Sequence, residues 1–295
     1  MFQEICDRFR GRPKPLVIIF HLINFITSTL LYRIIKIEDF MKRRKILSLI
    51  VYSPLRWFSK TFNRDILLYN SKWDYFFTLS DTSSYIVMML IHEGNVPLQT
   101  YSLLHRMKDP IFIDVGAHQG AYSIAFSKIS KLVVAIEPNP ENYALLKKNL
   151  AINRVKNCIP IRCALSNYDG TSYLYISELS DLHSLHQDQL NRVMYRIPVH
   201  AKKLDTLVLQ ELKLKKTDLV KIDVEGAEIE VLEGMKEVMK RYNPILVIEI
   251  FERNLEKVER ILAKHNYDLI KRMCESIDPL TNEKYTYILA IKTNI

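Results

Sequence analysis

The chain has 295 residues, 48% hydrophobic and 25% charged, a balance that excludes wholesale disorder and allows one full α/β core with about a hundred residues to spare. The net charge of +9 is unevenly held: residues 1–108 carry 16 Lys and Arg against 8 Asp and Glu, and residues 109–295 carry 26 against 25. Cys6, Cys158, Cys163 and Cys274 show no CxxC or other metal spacing, which argues against a zinc site or a disulfide framework and points to a reducing, cytoplasmic setting.

The charge break predicts a domain boundary near Lys108. Ahead of it, "RFRGRPKPLVIIFHLINFITSTLLYRIIK" predicts an apolar helix over Leu16 to Tyr32 with one polar stripe, His21, Asn24, Ser28, Tyr32 and Lys36, at steps of three and four. At about 1.5 Å per residue the run is marginal for crossing a bilayer. Basic residues flank it: Arg8, Arg10, Arg12 and Lys14 before, Arg33 and Lys42 to Lys45 after. Residues 1–45 are therefore expected either to lie on an anionic membrane surface, at the inner face, or to pack on the protein's own core. A cleaved signal peptide lacks its A-x-A site, since the first alanine is Ala117. Residues 46–108 form a buttress region, with a helix ending at Gly94 and an aromatic strand or packed loop in "NSKWDYFFTLS".

From Pro110 onward, short β-branched runs alternate with helical patterns, which predicts a parallel sheet with helices on its faces. The strands are expected in "IFIDV", "LVVAIEP", "CIPIRCALS", "DLVKIDVEG" and "PILVIEI", and the first two helices in "AYSIAFSKIS" and "PENYALLKKNLAIN". Ligands of such sheets bind beyond the carboxyl ends of the strands. Gly116, Gly120 and Gly226, three of only seven glycines, stand there.

The loop after the first strand is not a dinucleotide fingerprint, because His118 occupies the place of the second glycine, and no phosphate loop is present. A D-x-G-x-x-x-G loop followed by an acid at the end of the second strand suits S-adenosylmethionine, which has no phosphates but has a ribose diol. Glu137, 23 residues after Asp114, is placed to accept those hydroxyls; the other reading makes it a carboxylate capping the next helix. Asp114 either orders the glycine loop or touches the ligand.

In "LVKIDVEG", Lys221, Asp223 and Glu225 alternate with Val220, Ile222 and Val224, so the three charges are expected on one face of an apolar strand. Buried charge is costly unless it is paired or used, which leaves a salt-bridge network and a ligand-facing cluster as the two readings. Glu228 suits the acidic first turn of the next helix, and Glu249 is a secondary site residue at the end of the fifth strand. The polar connector Glu178 to Arg196 is long enough to contact an acceptor and carries His183 and His186 as possible bases. No metal is required, although Asp223, Glu225 and Glu249 are the kind of donors a hard cation takes.

Between Asp109 and Tyr267 the segments "FIDVGAHQGAYSIAFSK", "AIEPNPENYALLKKNLAIN", "CALSNYDG", "KKLDTL", "LVKIDVEGAEIEVLEGM" and "ILVIEI" resemble the FkbM-type S-adenosylmethionine-dependent methyltransferases in order and spacing. The resemblance implies a class I methyltransferase domain over 109–295, with a seven-stranded sheet whose last strand is antiparallel. It also implies methylation of a hydroxyl oxygen on a sugar, glycan, glycolipid or related small molecule. Gly116, His118, Gly120 and Glu137 then correspond to cofactor positions, with Pro138 and Asn139 beside the ribose and Ala164 and Leu165 near the adenine. Because the end of the fourth strand adjoins the glycine loop in this fold class, Glu225 is the expected base and Asp223 the group orienting the cofactor's methionine end. Lys221 would hold Asp223 ionised, and the two carboxylate roles are interchangeable at this stage.

Two alternatives stand beside this reading. One is an RNA methyltransferase, which suits the basic N-terminus but finds no N-P-P-Y or D-P-P-Y segment and no Pro-Cys nucleophile, so nucleic acid is not the expected partner. The other is a non-catalytic membrane-associated adaptor that keeps only the cofactor fold. Oligomeric state is not legible.

Overall fold

A computed structural model describes residues 16–19, 66–70, 75–78, 96–177, 184–185, 193–277 and 284–293. The chain divides into two compact units, Met1–Val87 and Met88–Ile295. The division lies well before the charge break at Lys108, because charge follows surface composition whereas the boundary follows packing.

In the first unit, strand β1 (Leu16–Ile19) pairs in parallel with β2 (Ile66–Asn70), which pairs antiparallel with β3 (Tyr75–Thr78). The predicted helix therefore fails at its first residues. Val17, Ile18 and Ile19 are β-branched, which costs side-chain freedom in a helix and suits a pleated ladder. The remainder of that predicted helix, its basic flanks and the predicted helix ending at Gly94 lie outside the described residues. Strand β3 falls inside the aromatic stretch singled out above. Among the described residues no helix is long and apolar enough to cross a membrane.

The second unit opens with helix α1 (Val96–His105), which buries Val96, Thr100 and Leu104 at steps of four and sets Tyr101 against Phe126, ring centroids 6.0 Å apart. Then follow β4 (Ile111–Val115), α2 (Ala121–Ser127), β5 (Leu132–Ile136), α3 (Pro140–Ile152) and β6 (Cys158–Ile161). A three-stranded sheet intervenes: β7 (Ala164–Leu165), β8 (Gly170–Ser177) and β9 (Val193–Lys202), in the order β7-β9-β8. The chain returns through β10 (Leu219–Ile222), α4 (Glu228–Glu233), α5 (Lys236–Tyr242), β11 (Ile245–Phe251), α6 (Glu252–Lys264), β12 (Leu269–Ile277) and β13 (Lys284–Ile291).

The central sheet has the order β12-β13-β11-β10-β4-β5-β6, parallel except for β13, which runs antiparallel to both neighbours. This is the expected α/β class with the expected antiparallel last strand. Strands β4 and β10 are buried along their whole length, apolar except for Asp114 and Lys221. The chain leaves β4 toward β5 on one side and comes back to its other side as β10, so the switch in strand order lies at the carboxyl ends of these three strands.

One expected strand is two. "CIPIRCALS" breaks after Ile161, and Ala164 and Leu165 leave the central sheet to pair in parallel with Ala201 and Lys202 of β9. The partner hairpin β8–β9 was not legible as strands, so the break had no sequence signal.

Candidate active site

The loop leaving β4 is tied down by main-chain bonds. Gly116 and Ala117 both donate their N–H to the Ile136 carbonyl, at 3.0 and 2.9 Å, and Gly120 N–H bonds Ala117 O at 2.8 Å before α2 begins. Gly116 (φ 78°) and Gly120 (φ 89°) are left-handed, and so is His118 (φ 50°) between them. Both glycines have protein atoms as close neighbours. A β-carbon on Gly116 would stand 1.7 Å from the Asp223 carbonyl oxygen, and one on Gly120 would stand 2.4 Å from Leu146 Cδ1. Gly116 thus lets the loop after β4 touch the end of β10, and Gly120 lets α2 start against α3.

Glu137 follows β5 directly and is 5% exposed. Its Oε2 accepts from His118 N–H and its Oε1 from Asn139 N–H, each at 2.8 Å, so one carboxylate stitches the glycine loop to the next turn. It does not cap the helix. That part belongs to Asn139, whose Oδ1 accepts from Glu141 and Asn142 N–H at 2.8 and 3.1 Å, which commits the Asn139 side chain to α3. The Asn142 side chain is a third hydrogen-bond partner, and a carboxylate's capacity of about four donors leaves room for a further one. Burial pushes its pKa up to about 7 against the two backbone bonds that favour the ionised form.

The strand register sets Lys221 of β10 opposite Asp114 of β4. Lys221 is 1% exposed, with its Nζ 2.8 Å from Asp223 Oδ2, 3.9 Å from Asp114 Oδ1 and 4.7 Å from the centre of the Tyr122 ring. Asp114, also 1% exposed, accepts from Ser123 Oγ at 2.6 Å. Asp114 therefore ties β4 to the first turn of α2. Burial raises its pKa, partly opposed by Lys221 and Ser123. At Asp223, burial also pushes upward, but the Lys221 charge, hydrogen bonds with Glu249 and Lys221, and the nearby His118 hold the carboxyl below its usual range.

The strict alternation ends there. Strand β10 stops at Ile222, and Glu225 sits in a left-handed turn (φ 52°) beside Gly226 (φ 104°), so it does not continue the face of Lys221 and Asp223. Its carboxylate still returns to the site: side-chain oxygens of Asp223, Glu225 and Glu249 lie within 4.8 Å of one another. Three carboxylates at that spacing suit a hard cation, and equally one proton-accepting group with two neighbours that set its charge.

Glu228 does more than complement a helix terminus. It is 1% exposed, its Oε1 accepts from Gly226 N–H at 2.7 Å and its Oε2 faces Asn254 Nδ2 at 3.4 Å. Burial pushes its pKa up to about 7.

Leu165 packs in the hydrophobic core, and Ala164 is buried beside it in β7. Pro138 instead lines a cavity of about 310 Å³ together with Pro140, Arg162, Pro198 and His200. His183 and His186 lie outside the described residues. Ser184 between them is described, and its contact with the turn has no sequence signal: its Oγ donates to Glu225 O at 2.7 Å.

Comparison with known proteins adds the decisive observation, since a sequence model of the methyltransferase FkbM domain matches residues 114–271, more than half of the chain. The chain belongs to the FkbM methyltransferase family. It is 25% identical over 207 residues to methyltransferase sdnD of Sordaria araneosa, covering 59% of this chain and 80% of that one. It is 28% identical over 140 residues to the hexuronic acid methyltransferase AglP of Haloferax volcanii, covering 48% and 56%. A crystal structure of methyltransferase FkbM from Methylobacillus flagellatus superposes with a TM-score of 0.45 at 17% identity, covering 71% of this chain and 55% of that one.

FkbM methyltransferases use S-adenosylmethionine, and the residues at this site fit it. Glu137 offers a buried carboxylate with acceptor capacity left over at the end of β5. When bound, the cofactor supplies a methyl group activated on a sulfonium sulfur.

A pH dependence follows for this FkbM protein. Burial raises Glu137 and Glu228 above the ordinary carboxylate value of 4.5, so their contribution to stability is full below about 4.5 and is lost as pH rises through about 7. Asp223 shifts the other way, but its window lies below its ordinary 3.8 and does not overlap. The cofactor-free thermal midpoint is expected to fall between pH 5 and pH 7.5, each glutamate contributing at most about 3 kcal/mol. A ribose diol donating to Glu137 selects the ionised form, so saturating S-adenosylhomocysteine should flatten the fall. Melting curves across that range, with and without the product, measure both effects; a midpoint that rises with pH in the free protein contradicts the assignment.

Proposed function

We propose that the protein transfers the methyl group of S-adenosylmethionine to a hydroxyl oxygen of a sugar, glycan, glycolipid or related small molecule. The observation that carries this reading is the gathering of Asp223, Glu225 and Glu249 at the end of β10, against the Gly116 loop. An alcohol is a poor nucleophile while protonated, and a carboxylate within hydrogen-bond reach removes that proton as the bond to carbon forms. Glu225, only partly buried, is the group assigned to the acceptor; Asp223, kept ionised by Lys221, faces the cationic methionine end. Lys221, at 1% exposure, acts through Asp223 and is a positioning residue. The name of the relative from Haloferax volcanii supports a sugar acid among the acceptors to try first.

Glu137 is assigned the ribose diol. Replacing it by alanine is expected to weaken S-adenosylhomocysteine by about 1.5 to 3 kcal/mol, the range for hydrogen bonds to a charged group. Calorimetry with the product tests this. Unchanged affinity in the variant removes Glu137 from the cofactor site, and tighter binding of NAD than of the product removes the methyl-transfer reading. The acceptor follows from a screen of uronic acids, neutral sugars, glycolipids and RNA, in which transfer to RNA alone favours the alternative class.

A further inference from the structure

Glu225 holds a backbone conformation that side chains other than glycine's resist, so something must keep it there. The peptide unit joining Glu225 to Gly226 has two polar atoms, the Glu225 carbonyl oxygen and the Gly226 N–H. Both are gripped by side chains, one distant in sequence and one only two residues further on. The carbonyl accepts from Ser184 Oγ at 2.7 Å, and the N–H donates to Glu228 Oε1 at 2.7 Å. Neither grip is loose. Ser184 is 1% exposed and exchanges two backbone bonds with Tyr175 of β8, at 2.8 and 3.3 Å. Glu228 is 1% exposed in α4, with Asn254 of α6 at its other oxygen.

We propose that Ser184 and Glu228 are positioning residues that lock the Glu225–Gly226 peptide in one orientation and thereby fix where the Glu225 carboxylate points. Rotating that peptide exchanges the places of its carbonyl and N–H and changes ψ of Glu225 together with φ of Gly226. It would set an N–H against the Ser184 hydroxyl and a carbonyl against the Glu228 carboxyl. A hydroxyl can adapt by accepting instead of donating, and a protonated carboxyl by donating, whereas an ionised carboxylate facing a carbonyl cannot, so Glu228 is the stronger half of the lock at pH above about 7, where it is ionised. The lock also ties the connection between β8 and β9 to the turn that carries the base. Its catalytic meaning rests on the reading of Glu225 as that base.

The test uses the full chain with S-adenosylhomocysteine bound, and crystal structures of Ser184→Ala, Glu228→Ala and Glu228→Gln beside the wild type. Product affinity is expected to stay within about threefold in all three, since none of these side chains is assigned to the cofactor. The peptide should be rotated, or present in two orientations, in Glu228→Ala, with a smaller effect in Ser184→Ala, which removes a single hydroxyl and spares the packing. In Glu228→Gln the amide oxygen still accepts from Gly226, so the wild-type orientation should return. With the acceptor found by the screen above, kcat should fall about tenfold or more in Glu228→Ala at unchanged KM for S-adenosylmethionine, and recover in Glu228→Gln. A wild-type peptide orientation in both alanine variants overturns the proposal whatever the activity. Normal turnover by Glu225→Gln, by contrast, defeats the base assignment and leaves the lock to be judged by the three structures.

Discussion

Alanine in place of Gly116 is expected to abolish measurable binding of S-adenosylhomocysteine and to cost the domain more than about 3 kcal/mol of stability. The new β-carbon would lie 1.7 Å from the carbonyl oxygen of Asp223, and that oxygen belongs to the backbone following a fully buried strand, so no side-chain rotation relieves the clash. The backbone at Gly116 is also left-handed (φ 78°), which adds about 1 to 2 kcal/mol for any residue with a β-carbon. Relief requires the loop after β4 and the turn after β10 to part. Parting them stretches the Asp223 N–H to Val115 O bond of 3.1 Å and separates the glycine loop from the carboxylate cluster. Gly120→Ala makes a useful comparison, because its β-carbon would meet only the tip of the Leu146 side chain, which can move. Thermal melts and calorimetry on the two variants should show the larger loss at Gly116. Wild-type affinity in Gly116→Ala would mean that the contact with Asp223 is not needed for the site.

The legible and illegible parts of this site differ in the kind of interaction they rest on. Lys221 and Asp223 were readable as a pair because a two-residue period in a buried strand puts them on one face, and their 2.8 Å contact is that face. Glu225 was not readable in the same way: the strand ends at Ile222, and no two-residue rule applies to a left-handed turn. Its turn is bonded to the side chains of Ser184 and Glu228, which no strand period reveals. The glycines were readable as sharp turns, but their partners, the Asp223 carbonyl and Leu146, are distant in sequence. The same limit explains Ala164 and Leu165. Their composition fits any buried strand, and only the presence of β9 decides which sheet takes them. In Leu16–Ile19 the apolar run suits the start of a helix, but β-branching is the better guide to the strand that forms.

Glu225→Gln is expected to lower turnover by at least about 10², with S-adenosylhomocysteine affinity held within about threefold. The substitution keeps shape and leaves the backbone bonds to Ser184 and Glu228 in place, so it removes the proton-accepting charge and little else. Alignment of the two reactants persists in the variant, which is why residual activity should remain measurable. Asp223→Asn should behave differently. It takes from the Lys221 ammonium, 1% exposed, its carboxylate partner at 2.8 Å while that of Asp114 stays at 3.9 Å, and breaking a buried charge pair costs about 3 to 5 kcal/mol. Part of that cost should appear as lower stability and part as weaker cofactor binding, because Asp223 is the carboxylate assigned to the cationic end of the cofactor. The two variants therefore separate the roles on two axes, affinity measured by calorimetry and turnover measured on the acceptor returned by the screen. If Asp223→Asn keeps its affinity and loses turnover while Glu225→Gln does the reverse, the two roles are exchanged and the base is the residue held by Lys221. Wild-type turnover by Glu225→Gln on a confirmed acceptor would leave positioning as the whole of this residue's contribution.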